Sequence, residues 1–123
     1  MFGPRPVYRA SNATTGAVIA DHLRVADTHW TRMRGLLGTR SLEPGHGLWI
    51  RPCRQVHMVG MRYAIDLIFL DDEYRTVRTV GGLAPNRFSP KVSEASSVLE
   101  LPVGTVERCE IDVGTLVAID ALP

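Results

Sequence analysis

Apolar and polar positions alternate along this chain in short runs divided by glycine and proline, the pattern of a mainly β protein. Residues 18–26 (VIADHLRVA) are rich in β-branched and apolar side chains and predict a strand. Further strands are predicted over 48–50, 56–59, 64–70 (AIDLIFL), 74–80 (YRTVRTV), 97–101, 106–111 and 116–119, about eight in all. Gly/Pro-rich stretches separate them, including Gly81-Gly82 and a long loop through Pro85 to Pro90. One segment has a different period. Trp30, Met33, Leu36 and Leu37 are spaced by threes and fours, Thr28 can cap their start, and Gly38 can adopt the left-handed conformation that ends a helix. A short helix is therefore predicted near 28–38, too short to stand alone, with its apolar face packed on a sheet. Residues 1–16, with two prolines and then Ser11 to Gly16, read as a loosely ordered arm with room for a short extended piece around Val7 and Tyr8. Residues 17–123 then form a single domain, a small barrel or sandwich with one helix attached.

Composition narrows the class without changing it. A chain of 123 residues has the size of one domain, and 45% hydrophobic with 22% charged residues is globular. The formal charge of +1 gives no reason to expect nucleic acid as a partner. No apolar run approaches the roughly 18 residues of a membrane span, and the N-terminus lacks the pattern of a signal peptide. Cys53 and Cys109 stand far apart with no C-x-x-C, so no zinc site is signalled; a disulfide between them is open but not required. A cytoplasmic, reduced protein with no cofactor is expected. Its edge strands need protection, which leaves a monomer or an edge-strand dimer.

Five segments resemble, in order, elements of the DUF192 family. Arg34-Gly35-Leu36-Leu37-Gly38-Thr39-Arg40 resembles R-G-L-M-x-R, and Gly47-Leu48-Trp49-Ile50 resembles G-M-L-F. Val56-His57-Met58-Val59-Gly60-Met61-Arg62 is similar to I-H-T-F-G-M-R, with Met58 in place of the common Thr. Ile65 to Asp71 (IDLIFLD) resembles I-D-V-V-F-L-D, and Val98-Leu99-Glu100-Leu101-Pro102 with Gly104 resembles V-L-E-L-P-x-G. Gly114-Thr115 departs from the frequent Gly-Asp. The resemblance implies a compact, β-rich, jelly-roll-like domain whose biochemical activity is not established.

Candidate chemistry gathers in residues 52–71. Six arginines (32, 34, 40, 51, 54 and 62) fall between Arg32 and Arg62 against one acid, Glu43, so this stretch is either an anion-binding face or a solvated basic one. Asp66 interrupts an apolar run and must find donors, whether as a site carboxylate or as a strut accepting backbone N–H groups. A hairpin centred near Met61-Arg62 would set His57 opposite Asp66 at about 5 Å between Cβ atoms, as an acid–base pair or a structural one. A one-residue change of register removes that pairing. Cys53, His57 and Met61, with Met58, form a soft-ligand set that suits copper(I), but residues four apart in a straight strand lie about 13 Å apart. Only a sharp bend at Gly60, or help from another strand, would gather them. No G-x-S-x-G or phosphate loop is present. Glu100, between Leu99 and Leu101, is read as an outward strand residue. The reading that follows is a non-catalytic binding or accessory module. Arg54, His57, Met61, Arg62 and Asp66 would line a small pocket with a basic rim, for a small anionic ligand or an acidic segment of a protein partner. An enzyme using Asp66–His57 as a hydrolase or isomerase pair, and a metal or redox site at Cys53, His57 and Met61, stand as alternatives.

Overall fold

The computed structural model describes residues 5–123. Its elements are β1 (Tyr8–Asn12), β2 (Val18–Ala26), α1 (His29–Arg34), β3 (His46–Ile50), β4 (Ile65–Leu70), β5 (Thr76–Leu83), β6 (Ser97–Leu101), α2 (Thr105–Arg108) and β7 (Val117–Ala121). The strands make one sheet in the order β5-β4-β6-β3-β2-β1-β7. It curls into a half-barrel. β2 and β3 run parallel, and every other neighbouring pair is antiparallel. The two edge strands approach at one end, where Arg75 and Leu116 form a bridge and the Val117 N–H donates to the Tyr74 carbonyl at 2.9 Å. Curling thus covers part of both edges. Among the described residues, no helix is long and apolar enough to cross a membrane.

Six of the eight expected strands form, β2 and β6 at the residues the alternation indicates. Three expectations are corrected. Residues 106–111 hold α2 instead of a strand: Val106 and Cys109 sit one helical turn apart, and the left-handed Gly104 (φ +96°) starts that turn. Residues 56–59 belong to no strand of the sheet; among them His57 makes an isolated bridge, to Phe88. The described part of the expected loose arm supplies β1, paired with β2 on one side and β7 on the other.

The helix is also shorter than its spacing suggests. Thr28 caps it as expected: its Oγ1 accepts the Thr31 N–H, and the Thr31 hydroxyl oxygen accepts the Thr28 N–H. It stops at Arg34, because Gly35 takes a positive φ of +50° and turns the chain. Leu36, beyond that turn, is buried, while Trp30 and Met33 are exposed. The expected apolar face of the helix does not pack on the sheet; the turn after it does.

The centre of the sheet is buried on both faces. Leu23, Trp49, Ile68, Leu99 and Leu101 point to one core. Leu48, Ile50, Leu67, Phe69 and Val98 point to a second, which Leu36, Val56, Met58, Val92 and Ala95 cover from loops. β4 and β6 consequently have no exposed residue along their length. Gly47 reflects the density of the first core, since a Cβ there would stand 2.9 Å from Leu101 Cδ2 and 3.1 Å from Leu23 Cδ1. Gly47→Ala is expected to lower stability by about 1–3 kcal/mol in urea denaturation. An unchanged midpoint would mean the two leucines yield freely.

Candidate functional site

The second core does not close completely. Between the segment after α1, the loop over residues 52–61 and strand β6 lies a groove of about 610 Å³. Leu36, Leu37, Ile50, Val56, Met58 and Met61 give it apolar walls, and Arg32, Arg34, Arg54 and His57 also line it. Glu100 completes the lining from β6.

The loop owes its shape to pairing with residues 86–96. Met58 N–H donates to the Arg87 carbonyl at 2.8 Å, and Asn86 N–H returns to Met58 at 2.9 Å. Ser89 N–H donates to the Val56 carbonyl, Val56 N–H donates to Ser89 Oγ, and Arg54 Nε donates to the Ala95 carbonyl. This explains the alternation expected of a strand over 56–59. Val56 and Met58 are buried and His57 and Val59 exposed, but the partner is the segment around Phe88, which bridges His57. Gly60 (φ +82°) supplies the sharp bend, with Met61 N–H donating to the Met58 carbonyl. The loop is fastened to the turn after α1 through Thr39, whose hydroxyl donates to the Leu36 carbonyl and lies 2.7 Å from Tyr63 Oη.

The expected pairing of His57 with Asp66 is not formed. Asp66 points to the same side of β4 as Ile68, opposite to Leu67, so it faces away from the groove. Its carboxylate accepts three backbone N–H groups, from Gly82 at 2.9 Å and from Gly104 and Val106 at 3.0 Å. Because β4 lies between β5 and β6, residues 56–59 have no free strand to pair with there. Arg54, His57 and Met61 are brought together at the groove; exposed Arg62 and buried Asp66 are not among its lining residues. Of the remaining basic stretch, Arg51 instead lies 4.1 Å over the Trp49 ring.

Cys53 also lines the groove, so all four of the soft-ligand set, Cys53, His57, Met58 and Met61, are among its lining residues. Burial pushes the Cys53 thiol up, Glu100 adds to that effect, and Arg32 opposes it. Its S–H donates to the Gln55 carbonyl at 3.3 Å. A protonated thiol is neither a good nucleophile nor a good metal ligand. No group of three His, Cys, Asp or Glu side chains that could hold a metal ion occurs among the described residues. Cys53 and Cys109 are both free.

Glu100 is the residue that sequence reasoning missed. It alternates against Leu99 and Leu101 as expected, but the face it reaches is covered, leaving it 5% exposed. Its cross-strand neighbours are Leu48 and Leu67. Among the described residues nothing hydrogen-bonds its carboxyl group, and burial raises its pKa to about 7. The usable signal was the one applied to Asp66: an acid inside an apolar run, here Val98 to Leu101.

The DUF192 model, described as "Uncharacterized ACR", matches residues 10–119. The chain belongs to this family. A UPF0127 protein of Thermococcus sibiricus is 32% identical over 108 residues, covering 84% of this chain and 69% of its own. Another, from Thermococcus gammatolerans, is 32% identical over 115 residues, covering 89% and 73%. Among solved structures, a protein of unknown function from Novosphingobium aromaticivorans superposes with a TM-score of 0.78 at 20% identity, over 92% of this chain and 83% of that one. At that identity the likeness shows the fold. Four of the five segments that carry the DUF192 resemblance, those containing Arg34, Ile50, His57 and Glu100, meet at the groove.

Proposed function

We propose that this DUF192 protein is a non-catalytic binding module whose groove takes a small ligand with an apolar body and an anionic group. The observation that carries the reading is the composition of the groove. Its walls are apolar, three arginines line it, and it holds one carboxylate and no activated nucleophile. A volume of about 610 Å³ lies in the range that small-molecule sites occupy. Arginine forks fit carboxylates and phosphates, while the walls made by Leu36, Val56 and Met61 favour hydrocarbon. Relative to the pocket foreseen in the sequence, this reading keeps Arg54, His57 and Met61, leaves out Arg62 and Asp66, and adds Arg32 and Arg34.

Calorimetric titration with hexanoate and with hexanol tests this directly. Hexanoate is expected to bind at least about tenfold more tightly, and Arg32→Ala to remove most of that advantage. Equal affinity for the two probes, or no binding of hexanoate at millimolar concentration, would exclude the reading.

A further inference from the structure

The groove contains two polar groups that the protein leaves without partners. Glu100 is more than nine-tenths buried, and no described residue donates to its carboxyl group. Arg32 Nε is buried with no acceptor among the described residues, and its Nη1 reaches only the Pro52 carbonyl at 3.4 Å. They are not paired with each other, yet both act on the charge of the Cys53 thiol, which also lines the groove. A purely anionic ligand would answer Arg32 but be repelled by Glu100 wherever that group is ionised. A ligand that answers both must present an acceptor to one and a positively charged donor to the other.

We propose that the ligand is a small zwitterion on an apolar frame, of the α-amino acid or short apolar peptide class. Its ammonium group meets Glu100, its carboxylate meets Arg32, and its apolar side chain lies along Leu36, Val56 and Met58. The proposal rests on the binding role given to the groove above and adds the chemistry of the occupant. It explains why an acid stands where a leucine would pack better: the bound ammonium supplies the missing partner. It also couples binding to protonation. The cross-strand neighbours Leu48 and Leu67 carry no charge, and the titratable and charged groups that line the groove with Glu100 are His29, Arg32, Arg34, Cys53, Arg54 and His57. An ammonium ligand favours ionised Glu100, so its affinity rises with pH through neutrality. A simple carboxylate has the opposite dependence.

Titration calorimetry with leucine, leucyl-leucine and hexanoate, at about pH 5.5 and about pH 8, separates the outcomes. One or both leucine probes are expected to bind about tenfold more tightly at the higher pH, whereas hexanoate weakens. Whichever leads assigns the ligand to free amino acids or to peptides. Glu100→Gln is expected to weaken the leucine probes about tenfold and abolish their pH dependence while leaving hexanoate bound. If hexanoate binds and both leucine probes do not, or if Glu100→Gln leaves leucine binding unchanged, the zwitterion is excluded and the binding role stands. If none of the three binds, both readings fall together.

Discussion

Asp66→Ala is expected to lower the stability of this protein by about 3–5 kcal/mol, a large share of the 5–15 kcal/mol available to a domain of this size. The carboxylate accepts from Gly82 on β5 and from Gly104 and Val106 at the start of α2. One side chain thus joins three segments distant in the chain. Each bond to a charged acceptor contributes roughly 1.5–3 kcal/mol, but the three share one anion and do not add fully. Truncation leaves three backbone donors to be satisfied by whatever water reaches them. Asp66→Asn keeps one acceptor and turns an NH₂ group toward N–H donors, so a loss of about 2–3 kcal/mol is expected there. Urea denaturation of both variants measures the effect. A loss below about 1 kcal/mol in Asp66→Ala would show that Asp66 is not the strut its geometry describes.

The second large effect has the opposite sign. Glu100→Gln is expected to stabilise the protein above neutral pH. The folded-state pKa of Glu100, about 7, lies above its ordinary value of 4.5, so the folded state resists ionisation. Below pH 4.5 the group is protonated in both states and costs nothing through linkage. Between 4.5 and about 7 the unfolded chain loses the proton while the folded chain keeps it, and stability falls by about 1.4 kcal/mol per pH unit. The total is about 3 kcal/mol once pH has passed the folded-state value. Glutamine mimics the protonated acid, so the variant should match wild type near pH 4.5 and exceed it by about 3 kcal/mol near pH 8. Comparing the two proteins at each pH cancels the titration of other groups. A difference independent of pH would mean that Glu100 ionises freely in the folded state, and would remove the cost on which its role in the groove is argued.

These two acids also show what is legible in the chain and what is not. Each interrupts an apolar run, and each run is a strand with both faces buried. That much follows from local pattern, as do the positions of β2 and β6 and the Thr28 cap. Pairing is not local. Residues 56–59 alternate correctly, and nothing within them distinguishes the segment around Phe88 from β4 as a partner. The hairpin with β4 was the shorter connection, and it placed His57 beside Asp66. β6 instead occupies that side of β4, with Asp66 opposite Leu101, and the two residues separate to opposite faces. Glu100 escaped for a related reason. A strand with an outward acid is ordinary unless a loop covers that face, and the covering segments come from residues 36, 56–58 and 92–95. The helix was misjudged by a single backbone conformation, since the positive φ of Gly35 ends it before the apolar stripe can reach the sheet. Long-range contact, not composition, built the groove.

The placement of β1 between β2 and β7 bears on how the molecule forms. Tyr8 lies opposite Ala121, and five successive pairs run from there to Asn12 and Val117. These contacts join the two ends of the described chain, the largest sequence separation the sheet contains. Loop-closure entropy disfavours such contacts until most of the intervening structure is in place. On the ribosome, β1 emerges before the other strands of the sheet but gains its second neighbour only when β7 has been made. Until then it presents an open edge to other chains. Relative contact order, not the strength of any one strand, therefore sets the pace of folding, and the interval before β7 arrives is when the nascent protein is most exposed to aggregation.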